Sequence, residues 1–249
     1  MNVGGELIYA IGDIHGCYEP LRELLAKIAA DCSARANGRR PVLIFLGDYV
    51  DRGPASHKVL EALVWLQRRP DMEVHLLKGN HEQALLAFLE APEGGEPWLR
   101  YGGTQTLTSY GVLAPTAEGG PEAYARARDE LLDAMPASHL RLLQTLELMV
   151  SAGDYAFVHA GVRPGAPLAA QVEDDLLWIR QAFLESPGPF EKVVVHGHTW
   201  IDARPQMLEH RIGIDTGAYA TGVLTALRLD DGARAVLQVG LAADATLPA

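Results

Sequence analysis

Cysteine is scarce in this 249-residue chain. The only two, Cys17 and Cys32, exclude a disulfide scaffold and fit a reducing compartment. Positive charge is short as well: 21 Lys and Arg stand against 32 Asp and Glu, for a net charge of −11. A surface that acidic repels nucleic acid in general, and the doublets Arg39-Arg40 and Arg68-Arg69 are too short to track a backbone. No apolar run approaches the roughly 18 residues of a membrane span. No basic segment followed by an apolar one opens the chain, so no secretory signal is expected. What is present is ordinary: 48% hydrophobic, 21% charged and 7% aromatic residues, a globular composition that excludes a disordered or fibrous protein. The expectation is a cytoplasmic enzyme or binding protein with neither nucleic acid nor membrane as partner. Any phosphate it holds must be met by local charges or by bound cations.

Apolar runs and amphipathic stretches alternate along the first third. Leu7 to Ile11, Val42 to Leu46 and Val74 to Leu77 read as buried strands. Between and after them come helical patterns: Leu21, Leu24, Leu25 and Ile28; then Val59, Leu60, Leu63 and Val64 behind a Ser56 N-cap; then Glu82 to Glu90. This order predicts an α/β fold with a mainly parallel sheet. Residues 91–145 break the pattern with glycines, prolines and two helical stretches, and read as a small helical cap inserted in a single domain of 1–249. The C-terminal half reads mostly as strands: Leu146 to Val150, Tyr155 to Val158, Val193 to Val195, Ile212 to Asp215, Val223 to Leu229 and Ala235 to Val239. Hairpin turns are predicted at Ser151–Asp154 and Asp231-Gly232, and a loose tail from Leu241. Two sheets with helices outside are therefore expected.

The informative feature is where the strands end. Five of them stop at residues that bind metals: Asp13 and His15; Asp48; Asn80 and His81; His159; His196 and His198. In open α/β sheets ligands sit beyond the carboxyl ends of the strands. Residues two apart in extended chain share a side, so Asp13 and His15 can reach one ion, and His196 and His198 share a side likewise. The set is oxygen and nitrogen only, which suits Mn, Fe or Zn. It is too large for one tetrahedral zinc and sufficient for two ions sharing a carboxylate. Two ions roughly 3.5–4 Å apart are a standard device for phosphoryl transfer to water.

The strings Gly12-Asp13-Ile14-His15-Gly16, Gly47-Asp48-Tyr49-Val50-Asp51-Arg52-Gly53, Gly79-Asn80-His81-Glu82, His159-Ala160-Gly161 and His196-Gly197-His198-Thr199 resemble the signature of the phosphoprotein phosphatase family of metallophosphoesterases, in the family's order and over most of the chain. The resemblance implies a four-layer αββα sandwich of two mixed sheets. It places Asp13, His15 and His198 on the first metal, Asp48 between both, and Asn80, His159 and His196 on the second. It makes His81 the general acid with Asp51 orienting it, and Arg52 a binder of phosphoryl oxygens. A second arginine is expected from Arg163 or Arg180. Arg180 is favoured, because bacterial members carry a string similar to Leu176-Leu177-Trp178-Ile179-Arg180. Tyr219 is expected to line the site, in a chain that lacks the longer motif of eukaryotic members. The implied activity is that of a bacterial-type protein serine/threonine phosphatase, a metal-dependent phosphomonoester hydrolase with two divalent ions, Mn²⁺ before Fe or Zn. Hydroxide generated at the metals would attack phosphorus in line, with a phosphoprotein or small phosphoester as substrate.

The rival on the same fold is a symmetrical diadenosine tetraphosphate hydrolase, which cleaves an anhydride. That branch often lacks an Asp-Arg pair like Asp51-Arg52 and carries Asp where this chain has Glu82. A polyphosphate should also need cations in the cap, and residues 91–150 offer only Arg100, Arg126, Arg128 and Arg141. A catalytically dead scaffold would be expected to have lost a ligand or His81. Plainer roles suit other residues: Asp231 as a turn former, His75 in the core, and His57, His139 and His210 on the surface. Asn80 has a competing role as helix cap, since Asn80-x-x-Gln83 resembles a capping box. Cys17 has no arginine six residues on, where position 23 is Glu23, and is read as structural.

Overall fold

The structure, a computed structural model, describes residues 1–116 and 119–240, so the tail expected to be loose from Leu241 lies outside the described residues. In chain order the elements are β1 (Ile8–Ile11), α1 (Tyr18–Arg35), β2 (Val42–Phe45), α2 (Ser56–Gln67), β3 (Glu73–Leu76) and α3 (Asn80–Glu90). The cap follows with α4 (Glu96–Trp98), α5 (Thr104–Ser109), α6 (Gly120–Ala134) and α7 (Ala137–Gln144). Then come β4 (Met149–Ala152), β5 (Tyr155–Val158), α8 (Glu173–Trp178), α9 (Gln181–Leu184), β6 (Val193–His196), β7 (Gln206–Met207), β8 (Arg211–Gly213), α10 (Ala218–Thr221), β9 (Leu224–Asp230) and β10 (Ala233–Val239).

The strands form two five-stranded mixed sheets, ordered β10-β9-β1-β2-β3 and β4-β5-β6-β8-β7. In the first, β1, β2 and β3 are parallel while β9 and β10 run against them. In the second, β5, β6 and β8 are parallel, edged by antiparallel β4 and β7. Strand alternation decides how the layers stack. Ile8, Ala10, Val42 and Ile44 meet Phe157, Val193, Val195 and Ile212 in the core between the sheets. Tyr9, Ile11, Leu43 and Phe45 point the other way, onto Leu21, Leu24, Leu60 and Leu63 of α1 and α2. Ala156, Val158 and Val194 face outward onto Leu176 and Phe183 of α8 and α9. With both faces covered, the strands read as continuous apolar runs, as in the sequence. The cap shares the first helical core through Trp98, Leu107, Leu131 and Leu142.

Two local readings are corrected. The strand predicted at Leu146 to Val150 starts at Met149, because Met149 pairs with Val158 and Ala152 with Tyr155, which leaves only Gly153-Asp154 for the turn. Glu147 pairs beside the end of β3 instead, bridged to Leu77 and donating its N–H to the Leu76 carbonyl. Ser56 does not cap α2. It is the first helical residue, fully buried, and its hydroxyl accepts from the Asp51 N–H at 3.1 Å.

Candidate metal centre

The parallel strands of both sheets deliver their carboxyl ends to one place. Asp13 and His15 follow β1, Asp48 follows β2, Asn80 opens α3 after β3, His159 follows β5 and His198 follows β6. Backbone bonds lace these loops together: Ile14 and His15 donate to the Asp48 carbonyl, and Gly197 donates to that of His159. Of the six described non-glycine residues with positive φ, five are His15, Asp48, Asp51, Arg52 and His198, the sixth being Asn37. Left-handed backbone costs about 1–3 kcal/mol per residue, and its concentration here marks loops shaped for a purpose other than stability.

Two buried ligand groups result. His15, Asp48 and His81 form one; Asp48, His159 and His198 form the other, so Asp48 belongs to both. Asn80 completes the second, its Oδ1 lying 2.9 Å from His159 Nε2 and 2.8 Å from His198 Nδ1. Asp13 adjoins them, its Oδ2 accepting from the His198 N–H at 2.9 Å. His15 Nδ1 donates to the Val50 carbonyl at 3.0 Å and His159 Nδ1 to that of Leu46 at 2.8 Å, which leaves each Nε2 unprotonated. Burial pushes His15 down to about 3 and His198 to about 2, and lowers His159, so these rings are neutral and suited to bind a cation. Asp13 Oδ1 and His198 Nε2 are buried with no hydrogen-bond partner, a cost that a cation between such atoms removes. The donors therefore fit two divalent ions bridged by Asp48.

His198 thus sits with the second group, where the sequence had placed it on the first metal. His196 sits with neither. Its Nδ1 donates to the Gly197 carbonyl and its ring packs edge-on against Phe183, 5.0 Å between centroids. The reason is local: His196 is the last residue of β6 with its ring on the outer helical face, whereas His198 lies past the strand end in left-handed backbone. Asn80 is free to face the histidines because capping falls elsewhere. Gly79 is the N-cap of α3, and its N–H donates to Glu82 at 2.9 Å.

His81 is held from behind. Its Nδ1 lies 2.7 Å from Asp51 Oδ2, which also accepts from Trp98 Nε1 at 2.9 Å, while Thr106 donates to Asp51 Oδ1 at 2.6 Å. Burial pulls His81 down, but the charges of Asp48 and Asp51 outweigh it and leave the imidazole above its ordinary value. Arg52 lies over the first group, with Nη1 3.2 Å from His15 Nε2 and its guanidinium 4.6 Å from the centre of the Tyr219 ring. Arg180 stands at the second, its Nη1 3.5 Å from Thr199 Oγ1, the residue after His198. Arg163 is committed elsewhere, gripping Asp175 through two nitrogens, so of the two candidates only Arg180 faces the ligands. Burial pushes the Cys17 thiol up to about 11, which fits no nucleophile.

Four contributors escaped the sequence reading. Glu82 accepts four backbone N–H groups, from Asp48, Tyr49, Val50 and Gly79. Asp215 is buried beside Asp13 and, mainly through burial, raised to about 6. Trp98 and Thr106 reach Asp51 from the cap, 47 and 55 residues away along the chain. Of these only Glu82 left a signal, as the last residue of Gly79-Asn80-His81-Glu82. Close packing makes one glycine decisive: a Cβ on Gly197 would strike Asp13 Oδ1. Gly197→Ala is expected to displace that carboxylate and cut the bound metal of purified protein by about half, read by atomic emission; unchanged metal content would show Asp13 to be no ligand.

A family profile described as calcineurin-like phosphoesterase matches residues 7–217. Over 158 residues the chain is 36% identical to a symmetrical bis(5'-nucleosyl)-tetraphosphatase of Aromatoleum aromaticum, covering 64% of this chain and 45% of that one. The match thus spans less than half of that relative's length. It is 27% identical over 236 residues to the asymmetrical bis(5'-nucleosyl)-tetraphosphatase PrpE of Bacillus mycoides, covering 88% of each. A solved structure provisionally described as a diadenosine tetraphosphatase superposes with a TM-score of 0.61 at 21% identity, over 96% of both chains, a likeness of fold. No described helix is long and apolar enough to cross a membrane. With the profile matched over well more than half its length, and with two mixed sheets converging on a metal-ligand cluster, the chain belongs to the calcineurin-like phosphoesterase family.

Proposed function

We propose that this protein is a metal-dependent hydrolase of dinucleoside polyphosphates, cleaving a phosphoanhydride in molecules such as diadenosine tetraphosphate. The observation that carries the reading is the likeness to a bis(5'-nucleosyl)-tetraphosphatase over 88% of the chain. An arginine at each ligand group, Arg52 at His15 and Arg180 at Thr199 beside His198, accords with a chain of phosphates lying across both. The protein serine/threonine phosphatase expected from the motifs is the weaker reading, because the features that favoured it do not discriminate. Asp51 holds His81, which any phosphoryl transfer can use. Glu82 is fully buried and clamps backbone. The paired cap arginines, Arg100 with Glu96 and Arg128 with Asp129, are not needed once Arg52, Arg180 and bound cations meet the phosphates.

Two divalent ions held by Asp13, His15, Asp48, Asn80, His159 and His198 would polarise the phosphoryl group and supply activated water. Arg52 and Arg180 bind the oxygens that gather charge as the reaction proceeds. His81, with Nδ1 fixed by Asp51, presents Nε2 to the departing oxygen and hands it a proton. The test is a side-by-side assay of diadenosine tetraphosphate and a phosphoserine peptide, on metal-stripped protein resupplied with Mn²⁺. The expected result is a kcat/KM at least about tenfold higher on the dinucleotide, a gap of about 1.4 kcal/mol. Preference for the peptide would reinstate the protein phosphatase.

A further inference from the structure

Two large aromatic side chains stand open at the site. Trp178 is 43% exposed and Tyr219 is 38% exposed. Each adjoins a different ligand group. The Trp178 ring lies 6.2 Å from that of His198, and the Tyr219 ring 5.2 Å from that of His15, both edge to face. Both are held in place. Trp178 ends α8, and its Nε1 donates to Gln83 Oε1 of α3 at 2.7 Å. Tyr219, in α10, meets the Trp200 ring at 6.2 Å and carries Arg52 over its face. Each ligand group also has an arginine: Arg52 over the Tyr219 ring at the first, and Arg180, reaching Thr199 beside His198, at the second. An open ring next to a guanidinium is the combination that binds a nucleotide: the ring stacks a base and the guanidinium takes phosphate. Both parts, an open ring and a guanidinium, are present at each ligand group here.

We propose that Trp178 and Tyr219 are base-stacking residues, one beside each ligand group, which select a substrate bearing a nucleoside at both ends of its phosphate chain. The inference deepens the dinucleoside polyphosphate reading and rests on it. A phosphorylated peptide offers no base to either ring, so the two aromatics make the site selective without entering the chemistry.

Diadenosine tetraphosphate and inorganic tetraphosphate contain the same kind of anhydride and differ in the nucleoside carried at each end. Trp178→Ala is expected to lower the ratio of kcat/KM on the first to kcat/KM on the second about tenfold, mainly through KM, the loss expected for one stacked base. Trp178→Phe, which keeps a ring but loses the bond to Gln83, is expected to restore most of that ratio. Binding gives an independent readout. Diadenosine tetraphosphate should quench tryptophan fluorescence in the slow variant His81→Asn, and less so when Trp178→Phe is added. A wild-type protein that cleaves the dinucleotide, with a ratio unmoved by Trp178→Ala and a quench unmoved by Trp178→Phe, overturns the stacking proposal and leaves the activity standing. A wild-type protein that does not cleave it overturns both.

Discussion

Replacing His81 with Asn is expected to slow diadenosine tetraphosphate hydrolysis about 10²-fold while leaving the fold and most of the bound metal in place. The figure is the low end of what a positioned general acid contributes, about 10²–10⁴-fold. The leaving group explains why. A nucleotide phosphate departs as a weak base with a pKa of about 6, whereas a serine alkoxide needs its proton in the transition state. The same variant should therefore lose far more, about 10⁴-fold, on an alkyl phosphomonoester. The gap between the two substrates is the signature of His81 acting on the departing oxygen. Equal losses on both would instead point to a role of the ring within the ligand group it shares with His15 and Asp48. Asp51→Asn should reproduce part of the loss, since Asp51 is what fixes the His81 ring.

Glu82→Gln is the substitution with the largest expected structural effect. The Glu82 side chain is fully buried, and four N–H groups converge on its two oxygens. Burial pushes the carboxyl up to about 7, and the four donors act against that by favouring the charged form. An amide would turn its own N–H₂ toward two of the donors and leave them unpaired at about 1–3 kcal/mol each. A loss of about 3 kcal/mol lowers the melting temperature of a chain this size by about 6–12 °C. Because three of the donors belong to Asp48, Tyr49 and Val50, the bridging carboxylate should move as well, and metal affinity should fall together with stability. A thermal scan with and without Mn²⁺ checks both. A melting temperature within about 2 °C of wild type would show that the clamp carries little energy.

Much of the fold was legible because both faces of the strands are buried. Runs such as Val42 to Leu46 and Tyr155 to Val158 have no polar face to hide them. The ligand residues were legible because five of the six parallel strands, all but β8, lead into one. What did not show was everything set by geometry across the sheets. His196 and His198 are alike in sequence, and only the end of β6 decides that one ring packs on Phe183 while the other reaches Asn80. Arg180 was favoured over Arg163 only by its motif, and the physical reason, the grip of Asp175 at the start of α8 on Arg163, lies across the fold. The short helices α8 and α9 carry too few turns to leave a periodic pattern, so the segment bearing Trp178 and Arg180 was read only as a motif. The contacts of Trp98 and Thr106 with Asp51 depend on how the cap folds back, which no local pattern encodes.

The central claim is a pair of ligand groups sharing Asp48. The most direct test is the metal content of protein equilibrated with Mn²⁺ and freed of excess, compared between wild type and Asp48→Ala. The account predicts about two ions per wild-type chain and fewer than about one in the variant, because removing the bridge weakens both positions at once. One ion per wild-type chain, or an Asp48→Ala protein that still holds two, would contradict it.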